Sequence, residues 1–346
     1  MMPFSVIPYP PVMRTHSFNK PKTLVPKGVA TFLPEGVLLR RNIEHALFSV
    51  FFRAGYQEVI TPLFEYLDVF AQTSGEELLD RSYKFVDRAT GRIMVLRPDV
   101  TPQIARMAAT WLVNRPRPLK LCYSTTLFRH TEEYAGQERE ILQMGAEQIG
   151  SSDAQSDADM ILLAFEALKK IKIKSKIVLG QTAFIRGILK PFESDPIFFR
   201  KILSAVAKKE ILHLSSLLKG ISVGASAKAQ VLALPSLLGG EDVLKKAEQV
   251  SRNPLCVAGL ERLSDVVRIL TQKGLKDSLL IDLSEVRGFD YYTGIVFEIF
   301  SDGANIELGG GGRYDHLAER FGASSPSIGF ALNIEQIQRV KEGAMH

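Results

Sequence analysis

Cysteine is scarce in this sequence of 346 residues: Cys122 and Cys256 are the only two, and both stand among apolar neighbours. A structural zinc site needs about four cysteine or histidine ligands at close spacing, whereas these two cysteines lie far apart along the chain. The sequence therefore predicts two reduced thiols in the core of a cytosolic protein. It predicts neither a disulfide framework nor a metal site, and no cofactor is expected.

Long apolar runs are absent as well. No stretch reaches the roughly 18 consecutive apolar residues that a membrane span requires. The first 20 residues carry prolines where a signal peptide needs an unbroken apolar segment. We therefore expect a cytoplasmic protein without a membrane partner.

A large excess of one charge is also missing, since 43 Lys and Arg residues face 38 Asp and Glu residues, for a net charge of +5. That balance permits contact with a polyanion but does not require it. The clearest basic cluster, residues 169–176, alternates lysine with apolar residues. We interpret the cluster as a charged strand edge, with a nucleic-acid surface as the lesser alternative.

What is present is an ordinary globular composition, with 46% hydrophobic and 23% charged residues, which excludes disorder and fibrous structure. The length corresponds to about two domains, or to one large domain with an elaboration. Hairpins and meanders alternate with helices without a regular β-α-β cadence. This order predicts an α+β fold with an antiparallel sheet of about six or seven strands.

The periodicity of apolar residues predicts where the elements lie. Residues 1–25 are rich in proline and are predicted to form an extended arm, whereas 185–255 have few strand signals and are predicted to form a helical insertion. The flanking segments 26–184 and 256–346 are predicted to form one domain. Helices are predicted at 36–53, 101–113, 153–170, 257–273 and 334–341, and strands at 58–63, 83–87, 93–96, 119–128, 140–149, 176–179, 278–283, 293–300, 304–309 and 327–332.

Residues whose side chains can bind a ligand or take part in catalysis occur in four places. In the first, Asp99 and Thr101 bring a carboxylate and a hydroxyl to the start of the predicted helix 101–113. The alternative is a plain helix cap by either residue, with a proline in the first turn.

The second place is the predicted strand 140–149, which Arg129 precedes at the start of a polar loop. Because side chains two residues apart share one face of a strand, Gln143 and Glu147 are expected to lie side by side. An amide and a carboxylate thus converge on one face. A charged face that is merely solvated is the alternative.

The third place combines Arg287 with the adjacent Tyr291 and Tyr292, between glycines that allow close approach of the backbone. The fourth is the glycine run 309–312, which ends in Arg313 and is predicted to precede a short helix. A glycine run alone is a weak signal, because tight strand turns also use glycine.

Together and in this order, the four places resemble the catalytic domain of histidyl-tRNA synthetase, a class II aminoacyl-tRNA synthetase. The family pattern is Arg-Pro-acid-x-Thr, then Phe-Arg with downstream Gln and Glu, then Arg-Gly-x-Asp-Tyr-Tyr-Thr-Gly, then Gly-Gly-Gly-Arg-Tyr-Asp. These motifs stand here at 97–101, 128–147, 287–294 and 310–315.

The resemblance covers about residues 26–340. It implies a class II synthetase-like antiparallel sheet flanked by helices, formed by 26–184 and 256–346, with the small helical insertion at 185–255. It also implies a dimer, in which the helix 36–53 and the strand 58–63 lie at a two-fold interface.

Departures from the family pattern affect the ATP half of the site. Where the synthetase has an acid two residues after Arg129, this chain has Thr131, and Gln137 stands in place of an arginine. In the last motif, Gln336 replaces the arginine that grips ATP, and Asn333 replaces a glycine. A neutral amide cannot give a triphosphate the charged, forked contact of an arginine, and each such loss costs about 1.5–3 kcal/mol.

The sequence also stops soon after this motif, so we expect no anticodon-binding domain. The chain thus resembles the synthetase's truncated paralogues, the regulatory subunits of ATP phosphoribosyltransferase. That resemblance implies a non-catalytic subunit that binds the short catalytic subunit, activates it in the first step of histidine biosynthesis and helps it respond to histidine. It implies no tRNA partner. The alternative is a histidine–tRNA ligase or a related ATP-dependent amino-acid ligase, which the retained Arg129, Arg287 and 309–313 support.

The resemblance also implies a pocket for L-histidine, either functional or kept only for packing. Acidic groups are expected to hold its ammonium or imidazole N–H, arginines to meet its carboxylate, and amide and hydroxyl groups to add polar contacts. The candidate histidine-binding residues are Asp99, Thr101, Arg129, Gln143, Glu147, Arg287, Tyr291 and Tyr292. No catalytic residue is expected.

Overall fold

The computed structural model describes residues 25–73, 75–131, 138–286, 288 and 291–343. The predicted arm lies outside these residues except for Val25, as do Gln137 and Arg287. None of the helices in this part of the chain is long and apolar enough to cross a bilayer.

The helices are α1 Pro34–Arg53, α2 Leu67–Ala71, α3 Glu76–Asp80, α4 Thr101–Ala109, α5 Ala154–Lys170, α6 Thr182–Leu189, α7 Pro196–Ala207, α8 Ile211–Leu218, α9 Ala225–Ala233, α10 Asp242–Val250, α11 Pro254–Gln272 and α12 Ile334–Gly343. The strands are β1 Gln57–Glu58, β2 Phe64–Tyr66, β3 Lys84–Val86, β4 Ile93–Leu96, β5 Leu119–Phe128, β6 Glu140–Ile149, β7 Ser175–Gln181, β8 Leu238–Gly239, β9 Leu279–Asp282, β10 Ile295–Ser301, β11 Glu307–Arg313 and β12 Ser327–Asn333. The predicted strands 119–128 and 140–149 are confirmed residue for residue.

Nine of the described strands form one sheet in the order β1-β5-β6-β12-β11-β10-β7-β9-β8, and β2-β4-β3 form a small second sheet. The α+β, synthetase-like architecture is confirmed, but the expected six or seven strands are too few. The sheet is also mixed, because β1 pairs with β5 and β7 pairs with β9 in parallel. Very short strands at the edges account for the difference, since a two-residue strand leaves no readable alternation.

The large sheet has one face buried under helices and one face largely open. Alternate residues of β6, β12, β10 and β7 point to the buried face, where they join a core with α1, α5, α6 and α11. Met144, Phe330 and Phe297 are representative members, each at most 2% exposed. On the other face, Val100 and Ile104, at the start of α4, share a cluster with Tyr123 of β5 and with Ile149 at the end of β6. The middle of that face is therefore left uncovered.

Residues 185–255 consist mainly of the helices α7 to α10, and α6 leads into them from the end of β7. These residues also contribute the short strand β8, which pairs with β9 at the sheet edge. The delimitation of these residues as a separate subdomain remains a prediction.

The predicted strand 58–63 is wrong beyond Glu58. Proline at position 62 has no N–H to donate to a ladder, and the buried guanidinium of Arg97 instead binds the carbonyl oxygens of Thr61 at 2.8 Å and Pro62 at 3.2 Å. The segment thus turns away from the sheet. Helix α4 is likewise shorter than predicted and ends at Ala109.

The lysine cluster 169–176 is not a strand edge. Lys169 and Lys170 end helix α5, and Lys172 adopts a positive φ of 60° in the turn that follows. Strand β7 begins only at Ser175, and it lies inside the sheet between β10 and β9. The helix ends here because lysines suit the negative end of its dipole.

The glycine run 309–312 is part of β11, in the middle of the sheet, and the short 3-10 helix Ala318–Phe321 follows it. A Cβ at Gly310 would lie 2.6 Å from the carbonyl oxygen of Phe297, and one at Gly311 would overlap the backbone of Gly329. Glycine therefore allows the neighbouring backbones to come close.

Candidate functional site

A cavity of about 760 Å³ occupies the open face of the sheet, within the range of small-molecule sites. Its floor is made by cross-strand neighbours on β6, β12, β11 and β10. Glu147 faces Gly329, and in the next row Ala331 faces Gly310, which faces Glu298. Because the floor residues of β12 and β11 have almost no side chains, space remains above them.

Seven of the eight candidate residues predicted from the sequence fall in the described part of the chain, and all seven line this cavity. They are Asp99, Thr101, Arg129, Gln143, Glu147, Tyr291 and Tyr292. The eighth, Arg287, lies outside the described residues. Sequence reasoning missed Tyr123 and Tyr314, which also line the cavity.

Glu147 is the most deeply buried acid of the cavity, with 1% of its surface exposed. Its Oε1 accepts a hydrogen bond from the Thr101 hydroxyl at 2.8 Å, and its Oε2 accepts one from the Tyr314 hydroxyl. Burial and the nearby charge of Asp99 raise the pKa of this carboxyl, the two hydrogen bonds lower it, and the net result is a pKa of about 8. A cationic group beside Glu147 would therefore favour its carboxylate form.

The start of α4 supplies both residues of the first motif. Asp99 precedes the N-cap residue Val100, and its Oδ1 accepts a hydrogen bond from the backbone N–H of Thr101 at 3.2 Å, in the turn that leads into the helix. Thr101 is not a cap, since its hydroxyl donates to Glu147 across the cavity wall. The helix start thus orients the buried carboxyl.

Aromatic rings form the wall opposite the start of β6. Tyr291 packs against Tyr292 in a T-shape at 4.9 Å and stacks on Tyr314 at 5.2 Å, measured between ring centroids. Tyr123 lies across Gly145, where a Cβ would overlap its hydroxyl. Burial raises the pKa of Tyr123, Tyr291 and Tyr314 well above the ordinary tyrosine value, so their hydroxyls remain neutral hydrogen-bonding groups.

Arg129 provides positive charge near Asp99. Its Nε donates to the carbonyl oxygen of Pro98 at 2.7 Å, which fixes the side chain against the first motif. Burial lowers the pKa of the Arg129 guanidinium and the charge of Asp99 raises it. Arginine nevertheless stays charged in proteins, so Arg129 can pair with a carboxylate that enters the cavity.

The far end of the cavity is where the sequence departs from the synthetase pattern. Asn333 caps α12 through the backbone N–H of Gln336 at 3.1 Å, and the Gln336 side chain accepts a hydrogen bond from Arg339 at 3.5 Å. Arg339 also pairs with Glu138 at 2.5 Å. Thr131 is buried. Arg339 thus ties Gln336 to Glu138, while the buried Oε2 of Glu138 has no hydrogen-bond partner among the described residues.

The lining of the cavity is acidic. Among its described residues, seven are Asp or Glu and two are Arg. Such a wall favours a ligand with a cationic or N–H donor group and disfavours a polyphosphate. In the described part of the chain, no group of three or more His, Cys, Asp or Glu side chains is placed to hold a metal ion.

Arg313 points away from the cavity, although it ends the fourth motif. Neighbouring strand residues face opposite sides, so Tyr314 reaches the cavity while Arg313 lies in the core, 4% exposed. Its guanidinium pairs with the fully buried Asp157 on α5 at 2.6 Å and with Asp315 at 2.9 Å. Asp157 also binds Arg262 of α11 at 2.6 Å. Arg313 therefore ties α5 to the sheet and does not line the cavity.

Comparison with known proteins gives a family for this fold and cavity. The family model for histidyl-tRNA synthetase matches residues 28–337. The ATP phosphoribosyltransferase regulatory subunit of Geobacter sulfurreducens is 40% identical over 311 residues, which cover 90% of this chain and 71% of that protein. The protein of the same name from Thermoanaerobacter pseudethanolicus is 38% identical over 316 residues, covering 90% of this chain and 81% of the relative.

Solved structures agree with the sequence relatives. A crystal structure from Bacillus halodurans, titled an ATP phosphoribosyltransferase regulatory subunit/histidyl-tRNA synthetase, has a TM-score of 0.82 at 27% identity, covering 91% of this chain and 83% of that one. A histidine–tRNA ligase subunit from Alicyclobacillus acidocaldarius has a TM-score of 0.79 at 26% identity, covering 94% and 99%. On this similarity the chain belongs to the histidyl-tRNA synthetase-like family of ATP phosphoribosyltransferase regulatory subunits.

Proposed function

We propose that this protein is a non-catalytic regulatory subunit that binds the short catalytic subunit of ATP phosphoribosyltransferase, activates it and responds to L-histidine. Membership of the family supports the regulatory role. The observation that carries the proposal is the lining of the cavity. The predicted histidine-binding residues line it, whereas Gln336 stands where the family pattern has the arginine that grips ATP.

L-Histidine is the proposed ligand because the cavity offers both acidic and basic groups. Glu147 and Asp99 suit an ammonium or an imidazole N–H, and Arg129 suits a carboxylate. The tyrosine rings provide a flat surface for an imidazole. Arg287 and Gln143 are proposed to add contacts, as the family pattern implies.

The direct test of the proposed function is co-purification of this chain with a short ATP phosphoribosyltransferase subunit, followed by activity assays with and without it. We expect a stable complex, activity that depends on this chain, and inhibition by histidine. Absence of a complex, or equal activity of the catalytic subunit alone, would refute the regulatory role.

We expect the isolated protein to show no specific ATP binding in the low micromolar range. The acidic lining repels a triphosphate, and Gln336 cannot supply the forked, charged contact of an arginine, a loss of about 1.5–3 kcal/mol. Isothermal calorimetry with magnesium and ATP measures this directly. A tight, magnesium-dependent heat signal would contradict the prediction.

The ligase alternative is favoured by one observation, the retained Arg129 in the cavity, and by the likeness to the Alicyclobacillus acidocaldarius subunit. Histidine-dependent exchange between ATP and pyrophosphate discriminates the two functions. Robust exchange would establish a ligase, whereas a regulatory subunit shows none.

We also propose a homodimer through α1 and the segment that follows it. Apolar side chains are unusually exposed there, including Ile60 at 88% and Phe64 at 50%, and exposed apolar patches mark interaction surfaces.

We expect Ile60→Asp to convert the dimer to a monomer in sedimentation or light-scattering measurements, because a dimer interface cannot bury an unpaired charge. Leu212→Asp is the matched control: Leu212 is 87% exposed on α8, and its change should leave the dimer intact. A dimer that survives Ile60→Asp would place the interface elsewhere.

A further inference from the structure

Asp282 connects the sheet to the wall of the cavity. It is the last residue of β9, 8% exposed, and it begins a segment of five residues, 282–286, that we call the rim segment. Its Oδ1 accepts hydrogen bonds from the backbone N–H of Ser284 at 2.9 Å and from the Ser284 hydroxyl at 2.6 Å. Its Oδ2 accepts one from the Lys209 ammonium group at 2.6 Å. Both carboxylate oxygens are thus engaged, one within the rim segment and one with the insertion.

The rim segment sets the position of Glu285, which lines the cavity. The segment lies close over β7, since a Cβ at Gly180 would stand 3.1 Å from the Glu285 Cβ and 3.2 Å from the Asp282 carbonyl oxygen. The Leu283 N–H donates to the carbonyl oxygen of Leu237, next to β8, at 3.0 Å. Residues of the insertion therefore hold the rim segment at two points, Leu237 and Lys209.

Lys209 sits in an unusual backbone position. It follows α7 with a φ of 56°, where the N–H groups of Lys209 and Glu210 bond back to Val206 and Ala205 at 3.0 Å each. Glycine is the usual residue at such a left-handed helix end. A lysine here carries a backbone strain that glycine would avoid, while its side chain, 35% exposed, reaches Asp282.

We propose that Lys209 is a positioning residue of the cavity: through its ion pair with Asp282 it holds the rim segment, and with it Glu285, at the cavity wall. The insertion and the ligand site are thereby coupled. The consequence for ligand affinity rests on the proposed binding of histidine, whereas the positioning of the rim segment does not.

The variant Lys209→Gly tests the positioning role of Lys209 without disturbing the fold of the turn. Glycine relieves the strained φ, so the variant keeps its turn while it loses the ion pair. We expect hydrogen exchange of the amides of Leu283 and Ser284 to become about tenfold faster in the unliganded protein, measured by mass spectrometry on a peptide covering 279–286. Lys208→Ala, in the neighbouring exposed position, is the matched control and should leave this exchange unchanged. Equal protection in the two variants would overturn the proposal.

Ligand affinity provides the second readout. We expect the Kd for L-histidine to rise about three- to tenfold in both Lys209→Gly and Asp282→Asn, and by no more in the double variant, since both changes break the same contact. Lys209→Arg, which keeps the charge, should restore most of the affinity. Additive losses, or an unchanged Kd despite faster exchange, would refute the coupling to the site. If the wild-type protein binds no histidine, the proposed ligand is wrong, and the exchange measurement still decides the role of Lys209.

Discussion

Replacing Glu147 with alanine is expected to weaken L-histidine binding by about 1.5–3 kcal/mol, roughly 10- to 100-fold in Kd. Glu147 is the buried acid of the cavity, and its two hydrogen bonds, from Thr101 and Tyr314, aim it at the bound molecule. Titration calorimetry on the free protein and inhibition curves on the complex measure the effect. Basal activation should persist, because we propose that the catalytic subunit docks on a surface other than the cavity.

The control for this prediction is Glu77→Ala. Glu77 also lines the cavity, but its side chain is 88% exposed and pairs only loosely with Arg81, at 3.6 Å. Its loss should change the Kd less than about twofold, as for a screened surface charge. If histidine inhibits the complexes of the wild-type and Glu147→Ala proteins equally, and neither free protein binds histidine, the cavity is vestigial. The inhibitor then acts on the catalytic subunit or the interface.

Glu147 also gives the protein a pH dependence with a defined sign. Its pKa is about 8 in the fold, against 4.5 for an ordinary glutamate, so the folded state holds more protons than the unfolded state between those values. Its contribution to stability is therefore full at low pH and is lost as the pH rises through about 8. A Glu147→Gln variant cannot titrate at this position. Between pH 5 and pH 8.5, wild-type stability should fall relative to this variant, on the order of a few kcal/mol, in thermal unfolding at matched ionic strength. Parallel stability curves would contradict the assignment.

Much of the central sheet was predictable because β5 and β6 are long enough to show their pattern. Each strand has ten residues, and the polar segment 129–139 separates them. The strand period of two places Gln143 and Glu147 on one face. In contrast, β1 and β8 span two residues each and depend entirely on a partner strand. Their existence is a property of the assembled sheet, which local sequence does not encode.

The cavity residues also differ in how far the sequence alone reveals them. Asp99, Glu147 and Tyr292 belong to ordered motifs, so the sequence brings them to attention. Tyr123 belongs to no such motif, and only the register that pairs it with Gly145 places its ring in the cavity. Arg313 belongs to the fourth motif, but the strand alternation directs it to Asp157 on the other side of the sheet. Cross-strand register and facing are therefore the information that a single sequence lacks.

Gly329→Ala is expected to destabilise the protein by about 2–3 kcal/mol and to abolish high-affinity histidine binding. Gly329 faces Glu147 across the β6–β12 pair, and a Cβ at this position would overlap the Glu147 carboxylate. The carboxylate would have to leave Tyr314, which strands a buried hydroxyl. Chemical denaturation and calorimetry measure the two losses. Gly224→Ala is the matched control, because a Cβ there meets nothing within 4 Å.

A second variant shows whether this clash is the cause. In Gly329→Ala combined with Glu147→Ala, the carboxylate is gone, and the nearest remaining obstacle is the carbonyl oxygen of Ala146 at 2.9 Å. The double variant should therefore be more stable than Gly329→Ala alone, with a coupling of about 1 kcal/mol or more, while histidine binding stays lost. Strict additivity of the two changes would mean that Gly329 is required by the strand backbone and not by Glu147. Recovery of stability without recovery of binding would instead show that the glycine makes room for the buried acid at the floor of the ligand site.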